Sequence, residues 1–168
     1  ALTGQNTALV SDVKGTTTDP VYKTMELYPL GPCVLIDTAG FDDKGDLGLM
    51  RVEKTCEMLE KTDIALLVLT GDQDDYREER EWVKKFQHSK KPFLIAVNQS
   101  DRVSAVPEWV TEYPHAIVSA KEKENIGALK ELIVQVAPKD LELQSITAHL
   151  VSEDDVVLLV MPQDIQAP

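Results

Sequence analysis

Phe93-Leu-Ile-Ala-Val-Asn-Gln-Ser-Asp101 is the stretch that decides the architecture of this chain. Phe93 to Val97 is unbroken apolar sequence, the form taken by a strand buried on both faces in a parallel sheet. Asn98 ends the strand, and polar residues follow it. Working outward, Ile64 to Thr70 is a second run of this kind and His115 to Ser119 a third. Between the first two lies the charged segment Asp74 to Ser89, which sets Trp82, Val83 and Phe86 on one stripe and predicts a surface helix. Val106 to Tyr113 leaves room for a short helix. Ile126 to Val136 is amphipathic, with Ile126, Leu129, Leu132, Ile133 and Val136 on one face. Upstream, Leu47 to Lys61 places Val52, Cys56 and Leu59 at i, i+4 and i+7. Strands alternating with helices predict an α/β fold built on a mostly parallel sheet flanked by helices.

Val21 to Leu27 and Cys33 to Asp37 flank Tyr28-Pro-Leu-Gly-Pro32 and predict an antiparallel hairpin, with Gly31 and Pro32 as turn residues. After Pro138 the pattern changes. Leu141 to Leu150 is weakly patterned, and Val156 to Met161 predicts a strand ahead of Pro162. The expected organisation is one unit over 1–138, then a linker and the start of a second unit over 139–168. No internal repeat or low-complexity segment interrupts it.

Composition narrows the function classes. The formal net charge of the 168 residues is −12 and is spread along the chain. Nucleic-acid binding draws most of its affinity from Lys and Arg meeting phosphates, so tight binding of RNA or DNA by this surface is not expected. No apolar run is longer than that of Ile64 to Leu69, which is too short to span a bilayer, and no membrane contact is expected. The chain opens on no basic, apolar leader. Cys33 and Cys56 form no disulfide framework and read as reduced thiols. The expectation is a cytoplasmic protein. His88, His115 and His149 lie far apart, without metal-site spacing.

Three short motifs end predicted strands. Asp37-Thr-Ala-Gly40 places a carboxylate where it can hold Mg²⁺ through water, and a glycine where a backbone N–H can approach a terminal phosphate. Alone, it is equally a strand-ending Asp that caps a turn. Asn98-Gln-Ser-Asp101 sets an amide and a carboxylate three residues apart. Such a pair can recognise guanine, the amide meeting the base's acceptors and the carboxylate taking two base N–H bonds. Adenine offers no such pair of donors and would leave a charge unpaired. As a lone motif it is equally a turn. Val118-Ser-Ala-Lys121 can buttress a base with backbone N–H groups, and in isolation says almost nothing.

Order and spacing carry more. A DxxG at Asp37, an NxxD at Asn98 and a Ser119-Ala120-Lys121 group each end a strand in the order found in the GTPase superfamily, which this chain resembles. Ser11-Asp-Val-Lys-Gly-Thr-Thr-Thr-Asp-Pro20 is similar to the first switch of the branch that includes the Era and MnmE types. That resemblance implies a P-loop GTPase fold, GTP or GDP at Thr16, Asn98, Asp101, Ser119, Ala120 and Lys121, Mg²⁺ at Thr17 and Asp37, and catalytic roles for Thr17, Asp37 and Gly40. Phe41 stands where Ras-like proteins orient water with a glutamine. The branch often relies on K⁺ instead, which the resemblance places near Ser11, Val13 and Thr16; alternatively, Phe41 simply packs. Val10 to Lys23, Leu35 to Gly40, Arg51-Val-Glu-Lys54 and the tail Asp155 to Pro168 resemble the FeFe-hydrogenase maturation GTPases of the HydF type. This implies a scaffold that matures the hydrogenase metal cluster. It also implies a 4Fe-4S cluster in a domain outside this chain, a homodimer or higher homo-oligomer through the C-terminal region, and hydrogenase and other maturation proteins as partners.

Two departures stand against the pattern. No Gly-x-x-x-x-Gly-Lys-Ser/Thr is present, and none of the eight glycines is followed by lysine. Ala1 to Gln5 would then fall near the end of a first helix, with Gly4 as its C′ residue. The expectation is a partial domain lacking its first strand and phosphate loop, inactive as it stands. Gln99 occupies a position where the family has lysine, which lowers the expected nucleotide affinity. Only 17 residues separate Asp101 from Ser119, tight for a helix with its loops. Two other readings remain open: an RNA-associated GTPase of the tRNA-modification or ribosome-assembly kind, and an interaction module without nucleotide.

Overall fold

The computed structural model describes residue 2 and residues 21–38, 46–103 and 105–139, with the side chains of 46–51 outside the description. Within them the elements run β1 (Val21–Leu27), β2 (Gly31–Asp37), α1 (Asp46–Lys61), β3 (Ala65–Thr70), α2 (Arg77–His88), β4 (Phe93–Asn98), a 3₁₀ segment (Glu108–Glu112), β5 (His115–Ile117) and α3 (Ile126–Val136). The predicted second unit beyond residue 139 lies outside the described residues.

β4 is central because its sequence permits nothing else. Leu94, Ile95, Ala96 and Val97 are all buried, so both faces of the strand need a covering layer. β3 and β5 flank it, both parallel, in the order β3-β4-β5. On one face, Ile95 and Val97 join Leu67 and Leu69 of β3, Leu59 of α1, Trp82, Val83 and Phe86 of α2, and Val110 of the 3₁₀ segment. On the other, Leu94 and Ala96 meet Val118 and α3, through Leu129 with Ile126, Leu132, Ile133 and Val136 packed around it. The result is the expected α/β sandwich, with the apolar faces predicted for all three helices turned to the core, buried at Leu59, Trp82, Val83, Phe86 and Leu129 and half-buried elsewhere.

The register brings Thr70 beside Asn98 and Val97 beside Ile117. The carboxyl ends of the three parallel strands therefore open on one edge of the sheet, where ligands bind in open α/β folds. At the opposite edge Lys91 Nζ donates to the carbonyls of Glu60 and Thr62 and caps the last turn of α1.

Four details differ from the sequence expectations. β1 and β2 pair antiparallel from Val21↔Asp37 to Leu27↔Gly31 but form a sheet of their own among the described residues. Their turn is Tyr28-Pro29-Leu30; Gly31, at φ +85°, and Pro32 already belong to β2. α2 starts at Arg77 rather than Asp74. Asp75 accepts from the Arg77 N–H, and the Tyr76 hydroxyl donates to Thr70 O while accepting from Gln73 N–H, so the preceding residues are held as a loop. β5 stops at Ile117, because Ser119 turns back to pair with Glu124. The short Asp101–Ser119 connection is bridged by the 3₁₀ segment, which packs Val110 fully inside the core.

Candidate functional site

At the carboxyl end of β4 the chain makes a tight turn. Gln99 takes a left-handed φ of 64°, and its carbonyl accepts from the N–H groups of Arg102, at 2.9 Å, and Val103, at 3.0 Å. This folds Asp101 back over the strand end. The turn is tied to β5, since Val118 N–H donates to Val97 O and Ser100 N–H donates to Val118 O. Residues far apart in sequence are thereby held side by side.

Ser119 is fully buried. Its hydroxyl donates to Asp101 Oδ1 at 2.6 Å and accepts from the Glu122 N–H at 3.1 Å. The Ala120 N–H donates to Asn98 Oδ1 at 3.0 Å. The Ser119 hydroxyl, with help from the charges of Lys121 and Arg102, holds the Asp101 carboxyl below its ordinary value. Lys121 Nζ stands 3.9 Å from Asp101 Oδ2 and 3.3 Å from Glu122 Oε1, and its side chain is largely exposed. At such exposure the lysine adds little to the fold. Chemically, the cluster offers an ionised carboxylate with lone pairs to spare and an amide whose oxygen is already engaged, leaving Nδ2 as its donor.

The structure thus brings together Asn98, Asp101, Ser119, Ala120 and Lys121. Asp37 sits exposed at the end of β2, in the other sheet. Ser11, Val13, Thr16, Thr17, Gly40 and Phe41 lie outside the described residues. Gln99, expected to weaken the site through its missing charge, accepts from Arg102 Nη1 at 3.2 Å through its side-chain oxygen. A cation thus stands beside that position after all. Asn125, between the Ser119 loop and α3, escapes the motif reading. An Asn immediately before an apolar-periodic segment signals a helix N-cap, and its place in the sequence was the available clue.

The profile of the family described as 50S ribosome-binding GTPase matches residues 1–99. Among curated relatives, the tRNA modification GTPase MnmE of Heliobacterium modesticaldum is 34% identical over 140 residues, covering 79% of this chain and 29% of that protein. GTPase Der of Listeria welshimeri is 27% identical over 184 residues, covering 98% of this chain and 42% of that protein. The chain therefore spans well under half the length of these relatives. A solved structure of a probable GTP-binding protein engB superposes with a TM-score of 0.57 at 19% identity, over 80% of this chain and 88% of that one. Translation elongation factor SelB from Methanococcus maripaludis, in complex with the GTP analogue GppNHp, gives a TM-score of 0.56 at 18% identity, over 73% of this chain and 29% of that one. The fold is that of the P-loop GTPases.

Proposed function

The chain belongs to the family of 50S ribosome-binding GTPases, and from that premise we propose that it is the guanine-nucleotide-binding domain of a protein that hydrolyses GTP. The observation that carries this reading is the pairing of Asp101 with Ser119 and of Asn98 with Ala120 at one sheet edge. Asp101 accepts the base's N1–H and 2-amino group, and Asn98 Nδ2 donates to the base's acceptors. An adenine there gives the carboxylate neither of those two base donors.

Thr17 and Asp37 hold Mg²⁺, and Gly40 offers its N–H to the γ-phosphate. Magnesium in nucleotide sites takes one or two carboxylates with phosphate oxygens and water, and the exposed carboxylate at the end of β2 suits that donor set. Held there, Mg²⁺ would supply neutralisation of charge on the phosphates. By the same resemblance Ser11, Val13 and Thr16 would hold K⁺, which would supply that neutralisation in place of the glutamine that Phe41 replaces. Thr17, Asp37 and Gly40 follow the γ-phosphate, and their movement is the domain's output.

For the whole protein, the proposed role is a cytoplasmic scaffold that matures the hydrogenase metal cluster. Its 4Fe-4S cluster lies in a domain outside this chain, it self-associates through the region after residue 139, and hydrogenase and other maturation proteins are its partners. The likeness of residues 10–23 and 155–168 to that family supports this role. A second reading, an RNA-associated GTPase, draws support from relatives named as tRNA modification enzymes, and the net charge of −12 weighs against it. Among the described residues no helix is long and apolar enough to cross a membrane.

The test is GDP against ADP binding by the full-length protein with Mg²⁺ and K⁺, alongside Asp101→Asn. Selective GDP binding that the substitution abolishes is expected; equal binding of both nucleotides overturns the guanine reading. Iron and sulfide content in the same preparation supports the scaffold role, whereas RNA retained at moderate salt replaces it with the second reading.

A further inference from the structure

The loop bearing Ser119 and Ala120 returns to α3 through Asn125, whose backbone is left-handed at φ 56°, ψ 16°. Asn tolerates that region because its short polar side chain bonds locally. The side chain does not cap the helix it precedes. Instead Nδ2 donates to the Ile117 carbonyl at 3.0 Å. In a parallel ladder, alternate residues address opposite neighbours. Pro114 O accepts from Ile95 N–H and Val118 N–H donates to Val97 O, so the even positions of β5 face β4. Ile117 O therefore points to the outer edge of β5, which pairs with no described strand.

Residues 118–125 are consequently held from two sides. On the inner side are the Ser119–Asp101, Ala120–Asn98 and Ser100–Val118 bonds. On the outer side is Asn125. Between them, Ser119 and Glu124 exchange two backbone hydrogen bonds, of 3.2 and 3.0 Å, that close the neck of the loop. α3 is anchored separately through Leu129 and its apolar neighbours. The Asn125 amide is thus free to serve the loop rather than the helix.

We propose that Asn125 is a positioning residue for base recognition, its left-handed backbone and its amide fixing the loop that presents the Ser119 hydroxyl to Asp101 and the Ala120 N–H to Asn98. The inference rests on the guanine reading of that site. Loosening the outer tie lets Ser119 drift, and Asp101 then loses the orientation that lets it accept two donors from one base edge.

The test compares GDP and IDP in competition with fluorescent GDP, using the full-length protein and the variants Asn125→Gly and Asn125→Asp. Both variants allow the left-handed backbone; the first removes the donor, and the second sets a carboxylate against the Ile117 carbonyl. IDP lacks the 2-amino group, one of the two donors to Asp101. Wild type is expected to prefer GDP. Asn125→Gly should lose about two- to tenfold in GDP affinity, the equivalent of one hydrogen bond, and less for IDP, so that the ratio narrows. Asn125→Asp should narrow it further, with nucleotide-free thermal midpoints near wild type. A wild-type preference that both variants retain unchanged overturns the positioning role alone. Equal loss for both nucleotides with a lowered midpoint, or failure of both variants to fold, overturns it in favour of a purely structural role. Wild type binding GDP and IDP equally well overturns the guanine reading and this inference with it.

Discussion

Gly71 follows the last residue of β3, and a β-carbon built on it lies 1.9 Å from the Ala105 carbonyl oxygen and 3.0 Å from the carbonyl carbon. Its φ lies outside the left-handed region, so contact rather than dihedral freedom demands the glycine. Because β-carbons essentially never approach within 3.0 Å of such an atom, Gly71→Ala forces a separation of at least 1.1 Å. Both partners are backbone, and no rotamer change relieves the clash. Overpacking of this kind costs about 1–3 kcal/mol. At about 2–4 °C per kcal/mol for a domain of this size, the thermal midpoint should fall by about 2–12 °C. GDP affinity should fall as well, since the Ala105 segment continues the turn in which Gln99 O holds Arg102 and Val103 behind Asp101. Gly127→Ala is the control: a β-carbon there meets nothing within 4 Å, and in the first turn of α3 it should be neutral or stabilising by up to about 1 kcal/mol. Thermal unfolding with and without GDP reads both effects. A Gly71→Ala protein that melts with wild type and binds GDP equally well would refute the close approach of the two loops.

Ser119→Ala removes the donor to Asp101 and the acceptor for the Glu122 N–H, and nucleotide competition should show GDP affinity lower by about two- to tenfold. Because the folded-state value of Asp101 is lowered, its contribution to stability is present above the unfolded carboxylate value of about 3.9 and is lost as pH falls through the lower folded value. Urea midpoints of wild type and Asp101→Asn should therefore stay a constant distance apart above about pH 5 and converge only in more acid solution; convergence near neutrality contradicts this sign. Lys91→Met strips the cap from α1 and should cost about 1–2 kcal/mol in urea unfolding, with GDP selectivity unchanged because the cap lies at the far edge of the sheet. Leu94→Ala, at a fully buried position of the central strand, should cost about 2–5 kcal/mol by the same measurement.

What the sequence made legible follows from which forces act locally. β4 and α3 have the bounds expected of them, since an unbroken apolar run or an apolar stripe states both its element and its buried face. The errors fall where a single tie decides a boundary. Tyr76 reaches back to Thr70 O and delays α2, and the Ser119–Glu124 pairing shortens β5. Neither tie leaves a trace in periodicity. The cluster of Asn98, Asp101, Ser119 and Ala120 was legible by spacing, because strand ends in parallel register must share an edge. Asn125 was not, because the usual N-cap reading points its side chain to α3, whereas the structure turns it to Ile117 O. The role of Arg102 beside Gln99 was hidden for the same reason, as a contact made only once the turn forms.

The cluster also bears on how a base is received. Asp101 accepts from the Ser119 hydroxyl and Asn98 accepts from the Ala120 N–H. Each bond uses a lone pair on an oxygen that has another to offer, and neither consumes Asn98 Nδ2. On the proposed reading, a guanine adds bonds to this arrangement without displacing any of its own. Side chains held by their neighbours lose less freedom on binding, so recognition keeps more of its gross interaction energy. Discrimination gains too. A carboxylate held by Ser119 turns the same edge to adenine, which gives it neither of the two donors that guanine supplies. On the proposed reading, the rigidity of the loop behind Ser119 sets how strictly the base is read, so that Asn125 bears on selectivity along with Asn98 and Asp101.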